Sequence, residues 1–495
     1  MGEIAKQSIK GTMVTYIGVA IGFVTTFFVL TRFLTSEEIG LARVLIDAAT
    51  LFVGLAQLGT SSAAFRYFPY MERSHGAFFW TTLVPLIGFI LFGALYCILH
   101  EPLSHFFGDK SPLFISYYYL VLPISFFLLY QTIFETNANV LSHIVMPRFV
   151  REVVVRLSLL IAYLLYAFHT ISLDSMVWAI CGTYAIAALI NIIYLIVITP
   201  RPISNLFCPD LTYLHEHHDV VRSYILYTLF LIVTAITSVL APTLSSFFIT
   251  AQMGLSYTGI FAIATYIAVM VSIPYRSVIA ITQPELATAI KENNIPTIQR
   301  LLNQASTNLM LIGGFILLAI WINIDLIFLV LPNGATYAVA RQVVLLLGIG
   351  QLLVASFNIF LPTLSYSKFY ALSLLNSLVL TIAALLLNNA LIPIYGMEGA
   401  AAATLLSDLI YYALVITVVS RVTHTRPFCR QHLYIVLLLL LIFALNYILA
   451  YAFASWNIPL SAIVRSIILM GGGLYIVHIT HLSPELHALL RQLHI

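Results

Sequence analysis

Residues 41–65, LARVLIDAATLFVGLAQLGTSSAAF, are long and apolar enough to cross a bilayer, yet they hold Arg43 and Asp47. Those two residues sit four apart, so on a helix they share one face, one turn from each other. In steps of three and four the same face continues through Thr50, Gly54, Gln57 and Ser61. The rest of the surface is mostly Leu, Val, Ile, Phe and Ala. A charge at the centre of a bilayer costs at least ~3 kcal/mol. A charged stripe on an otherwise lipid-compatible helix therefore faces protein or water, which makes it a candidate wall of a transport pathway.

The rest of the chain has the same character. It is 61% hydrophobic and only 8% charged, against about 25% charged in an ordinary soluble domain. Mean hydropathy is +1.01. A soluble core cannot bury that much apolar surface, so the composition implies a polytopic membrane protein. Cys97, Cys181, Cys208 and Cys429 follow no disulfide or zinc spacing. Lys6 and Lys10 precede an apolar stretch of about 22 residues with no small-residue cleavage site, which reads as a retained first helix.

Apolar runs recur near 12–33, 41–66, 77–99, 113–134, 151–168, 176–198, 223–248, 257–281, 307–331, 339–362, 370–390, 398–419, 434–454 and 460–478. That predicts an all-α protein with fourteen transmembrane helices. Loop charges test the count. With the N-terminus cytoplasmic, 17 of the 22 basic residues fall on cytoplasmic segments and flanks. The other five are Arg32, Arg43, Lys110, Arg341 and Arg465. One miscounted helix would invert the sign from that point on. Both termini are expected in the cytoplasm.

The loops are short. Residues 199–222 contain Pro200, Pro202 and Pro209 and read as a linker. Residues 283–306 read as a short amphipathic surface helix broken at Pro296. EEIGLARVLIDAAT and SYTGIFAIATY open the second and eighth helices alike. HTISLDSMVWAICGTYAIAAL and IPIYGMEGAAAATLLSDL lead into the sixth and twelfth with one layout. The expected organisation is a lobe over 1–199, a linker over 200–222, a second lobe over 223–422, and an appended helix pair with a tail over 423–495. Copies of even helix number share one membrane orientation, which places the site between them.

Three segments carry a family resemblance. LNNALIPIYGMEGAAAATLLSDLIYY (387–412) resembles the penultimate-helix signature of polysaccharide and oligosaccharide flippases of the MOP superfamily. KQSIKGTMVTYIG together with TRFLTSEEIGLARVLIDAATLFVGLAQLGTSSAAFRYFP resembles the first two helices of that group, and IPYRSVIAITQPELA fits its turn after helix eight. The resemblance implies two pseudo-symmetric six-helix lobes in a V-shaped, alternating-access carrier of the cytoplasmic membrane. It implies an undecaprenyl-diphosphate-linked glycan as cargo, moved from the inner to the outer leaflet for polysaccharide biosynthesis. The helix pair 434–454 and 460–478 resembles the fourteen-helix branch that includes lipid II flippases, where it flanks a groove for the lipid tail.

Such cargo needs a hydrated, cationic cavity, and Arg suits it because its planar fork gives bidentate, charge-assisted bonds to phosphate. On helix one, Thr15, Gly18, Gly22, Thr25 and Arg32 form a stripe. Helix eight carries Thr258, Thr265, Ser272 and Arg276, and helix seven Thr234, Ser238 and Ser245. At 1.5 Å per residue, Arg32, Arg43 and Asp47 fall in the outer third, and Arg66 and Arg276 at the cytoplasmic ends. The expected pathway receives the diphosphate at Arg66 and Arg276 and releases it at Arg32 and Arg43, with Asp47 moderating the grip and Gln57 on the same wall. The competing reading makes Arg66 and Arg276 cytoplasmic anchors, Arg32 an interfacial side chain and Arg43–Asp47 a structural pair.

Elsewhere, Asp408 in helix twelve is a candidate site for a coupling H⁺ or Na⁺, weighed against a plain interhelical tie. Asp325 with Arg341 is a candidate outer gate, and Arg465 a candidate lipid-groove residue. Glu135 with Gln131 reads as interfacial. Gly396–Gly399 with the alanines after them reads as a close helix contact. His215, Glu216, His217, His218 and Asp219 crowd one loop and read as solvated rather than as a metal site. No P-loop is present, so direct ATP use is not expected, nor is another cofactor. The expected partners are the lipid-linked glycan, membrane lipids and proteins of the glycan pathway such as a polymerase; no nucleic acid is expected, and the chain should act as a monomer. The rival cargoes are lipid II and, for a multidrug antiporter, cationic drugs. Four Arg against one Asp on the cavity stripes favour an anion. A membrane glycan polymerase or ligase is disfavoured by short, nearly uncharged outer loops.

Overall fold

A computed structural model describes residues 3–71, 77–199, 218–365, 370–423 and 425–480. Most of the expected linker and the tail beyond Thr480 lie outside the described residues, as do His215, Glu216 and His217. No strand occurs among the described residues. The chain divides into two compact units, Met1–Gly259 and Ile260–Ile495.

The first unit starts with α1 (Glu3–Val24), which passes through a π-helical stretch, Thr25–Leu30, into a last turn, Thr31–Phe33. There follow α2 (Ser36–Ala56), α3 (Thr60–Met71), α4 (Ala77–Ile98) and α5 (Val121–Val140). A second π-helical stretch, Val150–Val154, runs into α6 (Val155–Ala167), then come α7 (Leu173–Ile198) and α8 (His218–Gln252). The division at Gly259 falls beyond the expected first lobe, because α8 packs against α2 and α3. The helix α9 (Leu255–Val269) crosses that division.

The second unit holds α10 (Ile273–Lys291), α11 (Ile295–Ile322), α12 (Arg341–Phe357), α13 (Tyr370–Thr423), α14 (Arg430–Ala452) and α15 (Ile458–Thr480). Its core joins Leu302, Leu318 and Ile322 of α11 to Val415 and Val419 of α13, Ile435, Leu438 and Ile442 of α14, and Leu469 and Val477 of α15. The appended pair is therefore part of this unit's core, with its other face clad in exposed Leu433, Leu437, Leu440, Leu441 and Ile448, as lipid contact requires.

Eleven helices among the described residues are long and apolar enough to cross a membrane. One of them, Leu372–Thr423, is 52 residues long and covers two of the expected spans. It breaks at Gly396, where φ is 59° and ψ −134°, a conformation that only glycine adopts without strain. A Cβ on Gly399 would stand 2.2 Å from the carbonyl oxygen of Leu391, so the close contact expected there is between the arms of a turn.

Two expectations change. The second span is not one helix, since Leu58 and Gly59 take φ of 50° and 74°, and this left-handed pair ends α2 and starts α3. The segment 283–306 is not a separate surface helix. Asn293 turns the chain with φ of 53°, Asn294 caps α11 by accepting from the Thr297 N–H, and Pro296 lies in the first turn of α11 rather than breaking it.

Candidate functional site

The polar face of α2 forms as its spacing predicts. Arg43 Nε donates to Asp47 Oδ2 at 2.8 Å, with the Asp47 side chain 9% exposed and that of Arg43 27%. The carboxylate is thus shielded while part of the arginine side chain stays accessible. Below the pair, Thr50 donates to its own helix at Ile46, and Ser61 donates to Gln57 Oε1 at 3.3 Å across the Leu58–Gly59 break. Thr136 of α5 donates to Ser61 in turn.

The first turn of α2 is tightly anchored. Thr35 accepts from the Glu38 N–H, and Glu38 accepts from the Thr35 N–H, a reciprocal cap. Glu38 also accepts from the Tyr166 hydroxyl of α6. The start of α9 is pressed against this turn. A Cβ on Gly40 would lie 1.9 Å from Leu255 O, and one on Gly259 1.9 Å from Ser36 O. Only glycines permit that approach. Ser36 Oγ and Ser256 Oγ stand 2.6 Å apart, and Ser111 donates to Thr250 O beside them at 2.7 Å. The ends of α2, α8 and α9 are sealed together on one side of the first unit.

A charge network that the sequence reading missed lies at the far end of α5. Arg151 donates to Glu135 at 2.7 Å, and Arg156 donates to Glu152 at 2.9 Å and to Gly18 O at 2.7 Å. Glu135 and Glu152 are buried within the protein. Gly11, Gly18 and Gly22 of α1 abut Arg148, Glu152 and Arg156 in turn; a Cβ on Gly18 would meet Glu152 O at 2.5 Å. The glycines of the helix-one stripe are therefore a helix contact. A count of arginines by loop charge alone hid a stepwise signal: Arg148, Glu152 and Arg156 share one face, as do Gly11, Gly18 and Gly22.

Other expected residues are dispersed. Arg32 is exposed, with its guanidinium 5.4 Å from the centre of the Phe33 ring. Arg276 is exposed in the first turn of α10. Arg66 belongs to α3, but its side chain lies outside the described residues, as do those of Thr234 and Ser238 on α8. Thr265 donates to its own helix, and Ser272 to Gln351 of α12 at 2.6 Å. Asp408 is half-buried against α12; a Cβ on Gly350 would stand 3.2 Å from its Oδ2. No salt bridge reaches Asp408 among the described residues.

In the second unit Asp325 and Arg341 pair as expected, at 3.0 Å. Arg465 shares their surroundings: a cavity of about 220 Å³ is lined by all three, with Trp321, Asn446, Tyr447 and Trp456 among its walls.

Comparison with known proteins fits this architecture. The family described as "Polysaccharide biosynthesis protein" matches residues 4–288. The chain belongs to that family. A lipid II flippase, MurJ, in an inward closed conformation superposes with a TM-score of 0.71 at 13% identity, over 93% of this chain and 98% of that one. An inward-facing multidrug resistance MATE transporter of the MOP superfamily gives 0.61 at 12%, over 85% and 99%. The Vibrio cholerae MATE transporter VcmN, in its bent form, gives 0.53 at 15%, over 85% and 98%. A comparison with curated protein sequences yields no match. The protein is a multi-pass membrane protein with the MOP-superfamily fold, as the sequence resemblance implied.

Proposed function

We propose that this protein moves a polyprenyl-diphosphate-linked oligosaccharide from the inner to the outer leaflet of the cytoplasmic membrane by alternating access. The observation that carries the proposal is the Arg43–Asp47 pair in a membrane-spanning helix of a polysaccharide-biosynthesis family member. Arg43 is oriented by Asp47 yet stays partly accessible, as a group that grips and releases a diphosphate must. Arg276, exposed at the start of α10, serves the receiving side, and in the first unit Arg43 serves the releasing side. The sealed ends of α2 and α9 then form the gate on the release side, and product leaves when Gly40 and Gly259 part.

A diphosphate carries roughly two negative charges. Moving them unaccompanied toward a positive exterior is downhill by ~2.3 kcal/mol per charge per 100 mV, so an ion gradient is not required. A coupling H⁺ or Na⁺ would bind at Asp408, the half-buried carboxylate of α13.

The fold favours one second reading. The flippase MurJ matches over more of this chain than the MATE transporters do, which supports lipid II as an alternative cargo. Deletion of the gene tests both. Accumulation of a lipid-linked oligosaccharide on the inner leaflet supports the first reading, and accumulation of lipid II the second. Unchanged levels of both would defeat the proposal.

A further inference from the structure

Arg465 is the one arginine among the described residues that is buried, at 8% exposure, and no carboxylate pairs with it there. Its Nη1 donates to Asn446 Oδ1 at 3.2 Å and its Nε to Ser461 O at 3.3 Å. Both acceptors are neutral, and the Asp325 carboxylate acts on the guanidinium only from beyond ion-pair distance. The neighbouring Asp325 is committed to Arg341 at 3.0 Å, and Arg341 in turn lies 5.2 Å from the centre of the Trp321 ring. The cavity therefore has two guanidinium groups against one carboxylate, a net charge of about +1, which selects an anion.

Place and size narrow the anion further. The cavity lies where α11 ends, α12 begins and α14 turns into α15, which puts it at one edge of the membrane-spanning region. Tyr447 and Trp456, exposed members of its lining, are the residue types that settle at headgroup depth. Tyr451, Ile458 and Leu460 beside it are exposed apolar surface, ready for acyl chains. A volume of about 220 Å³ is below that of a drug-sized site and suits a phosphate with its ester carbons. Asn323 of the α11 end donates to Ser466 of α15 at 2.8 Å, so the walls are held together without the ligand.

We infer that this cavity binds the phosphate headgroup of an anionic membrane phospholipid, with Arg465 as its principal ligand and Arg341 as a second. The site is separate from the α2 stripe and does not depend on the cargo. Asp325 tempers it, because it neutralises half of the available positive charge.

Tryptophan fluorescence of the purified full chain tests the inference, with Trp80 and Trp178 changed to Phe so that only the two cavity tryptophans report. Dibrominated phosphatidylglycerol should quench at a concentration about tenfold lower than dibrominated phosphatidylcholine, as one charge-assisted contact supplies. Arg465→Gln should abolish that preference, and Asp325→Asn should strengthen it. Excess inorganic phosphate should not displace the lipid. Equal quenching by the two lipids overturns the inference, as does a preference that survives Arg465→Gln. Displacement by inorganic phosphate would overturn the lipid assignment in favour of a free anion. If Arg465→Gln fails to fold, the sign of the Asp325→Asn effect decides, and weakened binding there counts against the site.

Discussion

In the first unit every buried carboxylate among the described residues has an arginine on it: Asp47 has Arg43, Glu135 has Arg151, Glu152 has Arg156. In the second unit Arg465 is buried to the same degree but meets only an amide oxygen and a backbone carbonyl, and Asp408 rests against Gly350. A buried pair whose partners satisfy each other fixes helices in register, and removing one member leaves a costly lone charge. A buried or half-buried charge without a counterion is instead free to be completed by something that comes and goes. The first unit thus spends most of its charge on packing and leaves Arg43 partly exposed, while the second holds charges in reserve.

The gate offers the largest effect. A double variant, Ser36→Cys with Ser256→Cys, puts thiols where two hydroxyls now stand 2.6 Å apart, close enough for a disulfide after a small rotation. Oxidation should stop glycan export almost completely, and reductant should restore it; export that continues while cross-linked would remove α2 and α9 as a moving gate. Next comes the pair itself. Arg43→Ala should lower export by at least about tenfold, the loss of one charge-assisted contact, with membrane insertion intact. Asp47→Asn should slow release more than capture, read as cargo retained on the purified protein; equal export by both variants and wild type would make the pair structural.

The packing side of the comparison predicts a smaller change. Gly18→Leu should destabilise the protein by about 2 kcal/mol by forcing α1 off the Glu152 backbone. Gly182→Leu, with nothing within 4 Å of the added atom, should leave the melting temperature nearly unchanged. Similar melting shifts in the two would show that the glycine stripe is not a tight contact. The smallest effect is expected at Asp408. Asp408→Asn should flatten any dependence of export on pH or Na⁺ while leaving potential-driven export in place; profiles identical to wild type would remove it as the coupling site.

What could be read from the sequence follows the range of each interaction. Apolar runs report the need for burial directly, so the all-helical, multi-span character was legible, while eleven spans rather than the expected fourteen stand among the described residues. Pairs on one helix, such as Arg43 with Asp47, follow from period alone. Asp325 and Arg341 were within reach because a short hairpin brings neighbouring helix ends together. The break at Leu58–Gly59 was not legible, since leucine is rarely found at positive φ. Contacts between distant helices were not legible either: Gly18 against Glu152, Gly40 against Leu255, and Asn446 against Arg465 depend on register across helices that a single sequence does not encode locally. For that reason the Arg465 cavity emerged only from the fold, although its charged members were named beforehand.

Flipping in proteoliposomes tests the central claim most directly. Purified protein would be reconstituted with a fluorescent polyprenyl-diphosphate oligosaccharide on one leaflet, with a potassium-diffusion potential positive on the far side. The account predicts transfer that rises with the imposed potential and is lost in Arg43→Ala. Transfer indifferent to both the potential and Arg43, or no transfer by the wild-type protein, would contradict it.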